Sequence, residues 1–222
     1  MRRLIGLVAV SFSVQAIVSG QAPGPGTPSE LADDVLAGAL WRIAVATHTK
    51  IGFESVEFVR LWGRLNRVPT FPVASRDEAL TSILDADPRY EWRAVGDSIV
   101  VRPKGAWNES ANPLNRPVRN LRVEKAQPYA VIVGVRDFIY RDTFAVPPMG
   151  QAIPVSFDVP SGTVIDVLNQ TIESSDAVLW IASYRPSAQP DQRYPRSDLQ
   201  MQLMDATRMR SRSISHSPRG LH

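Results

Sequence analysis

The sequence predicts an α+β protein built from tandem small βαβ modules whose helices pack on small sheets. Apolar residues at helical spacing alternate along the chain with short β-branched and aromatic runs, and one helix–strand pattern occurs twice. We expect a first module region at 30–110 and a second at 111–184. The second copy of the pattern follows the first at an offset of 88 positions, and the matching apolar residues are Leu80 with Leu168, Leu84 with Ile172, and Trp92 with Trp180.

The N-terminus has the three parts of a secretory signal peptide: a basic start, an uncharged apolar stretch, and small residues before a turn-rich segment. Residues 1–20 form this predicted signal, and cleavage is expected at Gly20–Gln21 or at Ala22–Pro23. An uncleaved membrane anchor is the alternative, although the stretch is short for a bilayer span and contains several polar residues. The signal predicts a secreted or periplasmic protein, with residues 21–29 as a Pro/Gly linker.

Helix and strand signals follow in order through the first region. Ser29 caps a predicted helix whose apolar face continues to Thr47, and Lys50–Val56 is a candidate strand. Ser75 caps a second predicted helix, because acidic residues occupy its first turn and its apolar face spans Ala79–Leu84. A β-hairpin with a Gly-Asp turn completes the region.

The second region repeats the unit. Asn120–Val123 predicts a strand, and Ser161 is expected to cap the helix that carries Val167–Ile172 before the strand Val178–Ala182. Between them, 127–140 has helical spacing of its apolar residues but also a β-branched run that suits a strand. We favour a helix there, since it would add a further copy of the unit.

Basic charge concentrates at the two ends of the chain. The full chain has a net charge of +3, but the segment from Arg185 to the C-terminus holds seven arginines against three aspartates. Without that segment and the two arginines of the signal, the body retains 16 basic and 19 acidic residues. A mildly acidic body argues against a nucleic-acid groove, which needs a basic face on the folded domain.

The segment 185–222 predicts a basic, disordered tail, with a short amphipathic helix over Leu199–Met209 as an alternative. Such a tail can tether the protein to an acidic partner. Contact with a membrane is expected only through an uncleaved signal or weakly through the tail. The tail residues expected to make partner contacts are Arg208, Arg210 and Arg212.

The residues on which most protein chemistry depends are scarce. The chain has no cysteine, and two of its three histidines lie in the last seven residues. His48 ends the first predicted helix, where a cation favours the helix dipole. No catalytic, cofactor-binding or metal-ligating residue is predicted, and we expect neither a cofactor nor enzymatic activity. Of the tryptophans, Trp92 and Trp180 are predicted core residues, whereas Trp62 and Trp107 are candidate partner contacts.

The two clearest units, Phe71–Pro103 and Ile153–Pro186, resemble the short βαβ modules at the N-termini of secretins and TonB-dependent receptors (STN-like modules). In these modules a strand ending in a small polar residue precedes a helix of the type x-A-L-x-x-L-L and a further strand or hairpin. The resemblance covers about Leu31 to Tyr184, and no secretin or receptor barrel follows the repeats in this sequence. It implies an envelope interaction module without catalytic residues.

These observations predict a non-enzymatic module that binds an envelope protein, through exposed sheet edges that accept a partner strand. The alternative is a secreted ligand-binding protein or hydrolase with a pocket between the modules. That alternative requires a pocket in which several of four residues meet, namely Asp33, His48, Asp77 and Glu173.

Overall fold

The computed structural model describes residues 33–57, 59, 75–146, 153–184 and 199–206. Over these residues the chain has an α+β fold, as predicted. The helices and strands are, in chain order, α1 (Asp33–Thr47), β1 (Lys50–Ser55), α2 (Arg76–Asp85), β2 (Tyr90–Val95), β3 (Ser98–Pro103), β4 (Pro117–Ala126), α3 (Pro128–Arg141), β5 (Val155–Thr163), α4 (Val164–Glu173), β6 (Ala177–Tyr184) and β7 (Leu199–Asp205). None of the helices in the described ranges is long and apolar enough to cross a membrane.

Five strands form one mixed sheet in the order β2-β3-β1-β6-β7, and β4 and β5 form a separate antiparallel ribbon. β1 runs parallel to β3 and β6, whereas β2 and β7 pair antiparallel at the two edges. The pairing of Ile51 with Leu179 and of Ser55 with Ser183 joins strands from both predicted module regions. One sheet therefore spans both regions, and their independence as tandem modules is not confirmed.

Helices cover both faces of the five-stranded sheet. Ile51 and Phe53 of β1 and Leu179 of β6 pack with α1 and α2 in one apolar cluster. The intervening residue Trp180 points to the other face and packs with α3, α4 and the ribbon in a second cluster. Alternate residues of the central strands thus belong to different cores, as the two-residue period of a strand requires.

The two copies of the repeated helix begin at equivalent residues. The Ser75 hydroxyl caps α2 as predicted and accepts a hydrogen bond from a backbone N–H of the first turn. The predicted cap at Ser161 is wrong, because pairing with Arg119 keeps Ser161 extended within β5. Thr163 caps α4 instead, in a capping box with Asp166. Thr163 lies 88 positions after Ser75, so the repeat includes the helix starts.

The ambiguous segment 127–140 forms the helix α3, which begins at Pro128. Proline suits the first helical position because its missing N–H would have no partner there. Val131 and Ile132 belong to the β-branched run, and both are buried in the second cluster. Tertiary burial of this face outweighs the small loss of helix propensity that β-branched residues cause.

The expectation of a disordered tail is wrong for Leu199–Asp205, and so is the alternative helix over Leu199–Met209. These residues form β7, which pairs along β6 from Leu199 opposite Tyr184 to Asp205 opposite Ala177. Backbone pairing with a strand already in the sheet favours the extended form over a short helix on its own. Residues 207–222 lie outside the described part.

Candidate functional site

The parallel strands β1, β3 and β6 have their carboxyl ends on the same side of the molecule, and buried polar residues gather there. Glu54 and Ser55 are consecutive in β1 and therefore point to opposite faces, and both are buried. Each belongs to a different hydrogen-bonded cluster. Ligands bind at this end of the strands in many open α/β sheets, so the two clusters are the candidates for a site.

The Asp33 cluster comprises Asp33, Ser55, Glu57, Asp87, Arg89 and Tyr90. Its centre is the buried Asp33 carboxylate at the start of α1. Asp33 Oδ2 accepts hydrogen bonds from the Tyr90 hydroxyl at 2.6 Å, from the Glu57 N–H at 2.8 Å and from the Ser55 hydroxyl. The Arg89 guanidinium bonds Oδ1 at 2.9 Å. The carboxylate is fully used in fixing the first turn of α1 to β1 and β2.

Arg89 neutralises the acidic residues of this cluster. Its Nε and Nη2 bond both carboxylate oxygens of the buried Asp87 at 2.9 and 2.8 Å, and Nη1 reaches Glu57 at 3.3 Å. The hydrogen bond to Asp87 raises the pKa of Arg89 further above its ordinary value. The bidentate pair with Asp87 fixes the guanidinium in the turn before β2. The bonds of Arg89 to Asp33 and Glu57 then connect this turn to the start of α1 and to the chain after β1.

Tyr90 serves this cluster as a permanent donor. Burial raises the pKa of the Tyr90 phenol well above its ordinary value of 10, and the neighbouring Asp33 carboxylate raises it further. The phenol oxygen also accepts the Val56 N–H at 3.1 Å. Tyr90 therefore stays protonated and does not supply acid–base chemistry near neutral pH.

Replacing Tyr90 with phenylalanine should lower the free energy of unfolding by about 1–3 kcal/mol, because Asp33 and the Val56 N–H lose a buried partner. The unfolded phenol loses its proton above about pH 10, while the folded phenol keeps it, so stability contributed by Tyr90 declines as the pH rises past that value. Urea unfolding of both proteins between about pH 8 and 11 measures this. The difference in free energy should be constant up to about pH 9.5 and then shrink; a difference constant across the whole range would contradict the assignment.

The Glu54 cluster lies on the opposite face and comprises Glu54, Arg102, Asn112, Asn115 and Tyr184. Glu54 and Arg102 form an ion pair at 2.6 Å between side chains that have no exposed surface. Asn112 Nδ2 donates to Glu54 at 2.6 Å, and Arg102 Nη1 donates to Asn115 at 2.7 Å. These bonds join β1 and β3 to the loop 104–116, and both Glu54 carboxylate oxygens accept a hydrogen bond.

Trp107 is the predicted partner contact that the structure describes. It is half-buried, and the guanidinium groups of Arg93 and Arg102 each lie 4.8 Å from its ring centre. Trp107 Nε1 and Arg102 Nη2 are buried donors without a hydrogen-bond partner among the described residues. The other predicted contacts lie outside the described residues, and they are Trp62, Arg208, Arg210 and Arg212.

The structure places the four residues of the hydrolase alternative in different surroundings. Asp33 begins α1 and the exposed His48 follows its end, so a helix of 15 residues separates them by roughly 20 Å. Asp77 is exposed and pairs with the arginine before it, and Glu173 accepts a hydrogen bond from Ser98 at 2.6 Å. Within the described ranges, no group of three or more His, Cys, Asp or Glu residues could hold a metal ion.

β2 forms one edge of the sheet, and over the described residues no strand pairs with its outer side. On its inner side, the Lys104 N–H donates to the Arg89 carbonyl at 2.9 Å. This bond shows which residues of β2 direct their backbone groups toward β3. Backbone groups alternate in direction along an antiparallel strand. Residues 91, 93 and 95 therefore bond β3, whereas the backbone groups of Trp92 and Ala94 point outward.

The side chains of β2 differ between its two faces. Trp92 is half-buried against the first apolar cluster, and Ala94 on the same face is exposed. Glu91 and Arg93 lie on the opposite face with side chains 32% and 48% exposed, and Arg93 Nη2 is 3.6 Å from Glu91 Oε1. Glu91 also accepts the Gly105 N–H at 3.4 Å. The strand thus presents outward backbone groups between a charged pair and an aromatic ring.

The other edge strand, β7, is already engaged. The Trp41 indole donates to the Asp205 carbonyl at 3.1 Å, the Leu199 N–H donates to the Tyr140 hydroxyl at 3.1 Å, and the Gln202 amide donates to the Val59 carbonyl. These contacts connect β7 to α1, α3 and the chain after β1. We therefore take β2 as the candidate interface.

A scan against protein-family models finds no match to the chain, and searches of the curated proteins and of the solved structures find none either.

Proposed function

We propose that the protein is a secreted or periplasmic, non-enzymatic module, similar to the STN-like modules, that binds an envelope protein by accepting a strand at β2. The observation that carries the proposal is the outward backbone of Trp92 and Ala94 on an edge strand. A strand added there gains main-chain hydrogen bonds, which supply affinity, while neighbouring side chains supply specificity. The predicted signal peptide supports the location.

The two polar clusters support interaction rather than hydrolysis. Asp33 and Glu54 are each neutralised by an arginine and surrounded by donors, so both carboxylates serve the fold. A general acid or base needs reach to a substrate proton as well as a suitable pKa. Groups held in internal hydrogen bonds at both oxygens do not meet that requirement.

Replacing Ala94 with proline should weaken partner binding strongly while the fold is retained. Proline removes the outward N–H that an added strand would use, and edge strands tolerate proline where the N–H faces solvent. We expect crosslinking of the chain to its envelope partner in cells to fall about tenfold or more, the equivalent of one or two lost hydrogen bonds.

The matched control is Ala94→Ser, which keeps the N–H and should crosslink like the wild type. Circular dichroism and thermal melting test whether both variants are folded. If Ala94→Pro is folded and crosslinks as strongly as Ala94→Ser, the partner does not bind at the β2 edge and the proposal is wrong.

A further inference from the structure

The outer edge of β2 restricts how another strand can pair with it. An added strand must place its own outward backbone groups opposite those of Trp92 and Ala94 and the carbonyl of Tyr90. The Tyr90 N–H already donates to the Asp87 carbonyl at 3.3 Å, so pairing is centred on the middle of the strand. The edge is short and carries charges, a feature that normally limits unwanted pairing.

The β2 strand of a second copy of the chain meets these requirements when it lies antiparallel to the first. With the two Trp92 residues opposite each other, they exchange both of their backbone hydrogen bonds, and each Ala94 N–H donates to the Tyr90 carbonyl of the other copy. In the same register Glu91 lies directly opposite Arg93 of the second copy, and Arg93 lies opposite Glu91. Both side chains share one face and remain partly exposed, so they are available for this pairing.

The neighbouring registers with the same backbone phase are unfavourable. One places Glu91 opposite Glu91 of the second copy, and the other places Arg93 opposite Arg93. Like charges directly opposite each other destabilise a strand pair, whereas opposite charges contribute about 0.2–1 kcal/mol each. The charge sequence of β2 therefore selects the central register.

Trp92 adds to this pairing on the other face. Its half-buried ring lies beside the exposed Ala94, and the central register brings the two Trp92 rings together across the two-fold axis. Aromatic pairs between adjacent strands stabilise a sheet beyond their buried area. Both faces of the strand thus favour the same arrangement.

We propose that two copies of the chain pair through β2 in this register and form one continuous sheet across a two-fold axis. The proposal rests on the proposed function and names the partner at the β2 edge as a second copy. The contact is isologous, because the same surface of each copy takes part. Charge complementarity between Glu91 and Arg93 is the observation that identifies the occupant.

The test uses two charge variants of the full chain, Glu91→Arg and Arg93→Glu. Each variant alone places like charges opposite each other at both positions, and its dimer dissociation constant should rise about tenfold or more. An equimolar mixture restores both opposite-charge pairs, so it should form a heterodimer. Native mass spectrometry and sedimentation velocity resolve the two homodimers and the heterodimer.

Recovery in the mixture separates pairing between copies from an effect within one chain. Neither variant regains its internal contact between positions 91 and 93 on mixing. The ribbon provides matched controls, since Arg122 is 73% exposed and lies 2.7 Å from Glu124, again two positions along a strand. Arg122→Glu and Glu124→Arg should leave dimerisation unchanged.

Two results would overturn the proposal. The first is a wild-type chain that sediments as a monomer at about 100 µM, a concentration at which even a weak dimer would be populated. The second is single variants that dimerise like the wild type. If the variants do not fold, the sedimentation of the wild type and of Ala94→Pro decides, with a monomer expected for the latter. A monomeric wild type whose cellular crosslinks still require the Ala94 N–H would reject self-pairing but retain strand addition as the function.

Discussion

Replacing Gly52 with alanine should destabilise the protein by about 3 kcal/mol, the upper part of the range for an overpacked core. Gly52 lies at the centre of β1, opposite Trp180 of β6, and the Trp180 ring lies across it. A Cβ at Gly52 would fall 2.7 Å from Trp180 Nε1 and closer still to two ring carbons. The ring has little freedom to move, because Nε1 donates to the buried Asn169 Oδ1 at 2.8 Å. Urea unfolding monitored by circular dichroism measures the loss.

The control for this prediction is a double-mutant cycle with Trp180→Phe. The smaller ring loses the hydrogen bond to Asn169 and leaves a cavity, so this variant alone is also destabilised. In the double variant the alanine methyl occupies part of that cavity, and the combined loss should be smaller than the sum of the two single losses. Additive losses would show that Gly52 and Trp180 do not compete for space.

Replacing Arg102 with methionine should cost about 3–5 kcal/mol, because the change leaves the Glu54 carboxylate buried without its cation. Asn112 still donates to Glu54, but a neutral amide does not offset the desolvation of a charge. Thermal and urea unfolding at neutral pH measure the loss.

The informative comparison is Arg102→Met combined with Glu54→Gln. Glutamine removes the charge but keeps an oxygen that can accept the Asn112 amide, so the double variant should be more stable than Arg102→Met alone. If the double variant is the less stable of the two, the cost comes from lost packing around Trp107 and not from the unpaired carboxylate.

Local elements were predictable because short-range chemistry determines them. Ser75 with acidic residues in the next turn indicated α2, and Gly96-Asp97 indicated the β2–β3 hairpin; both are confirmed. The cap of α4 was misplaced because Ser161 is a good cap residue, whereas its pairing with Arg119 is a contact across the ribbon. Residues near in sequence carried no signal of that contact.

The assembly of the sheet and its polar clusters were not predictable, because they too depend on contacts between residues distant in sequence. Glu54 and Arg102 are ordinary polar residues in a strand pattern, and their mutual burial depends on the pairing of β1 with β3. The position of β2 at an edge depends on which strands lie beside β1. Strand alternation puts Glu91 and Arg93 on one face, yet alternation alone does not distinguish an edge strand from a central one.

The place of β1 between β3 and β6 also governs the order in which the molecule can fold. Lys50 Nζ donates to the Ala177 carbonyl, 127 positions further along, and β1 needs β6 to complete its hydrogen bonds. Closing such a long loop costs chain entropy before the new contacts compensate for it, so pairing of this kind is slow. Synthesis delivers β1 long before β6, so one side of β1 lacks its partner strand until most of the chain has been made.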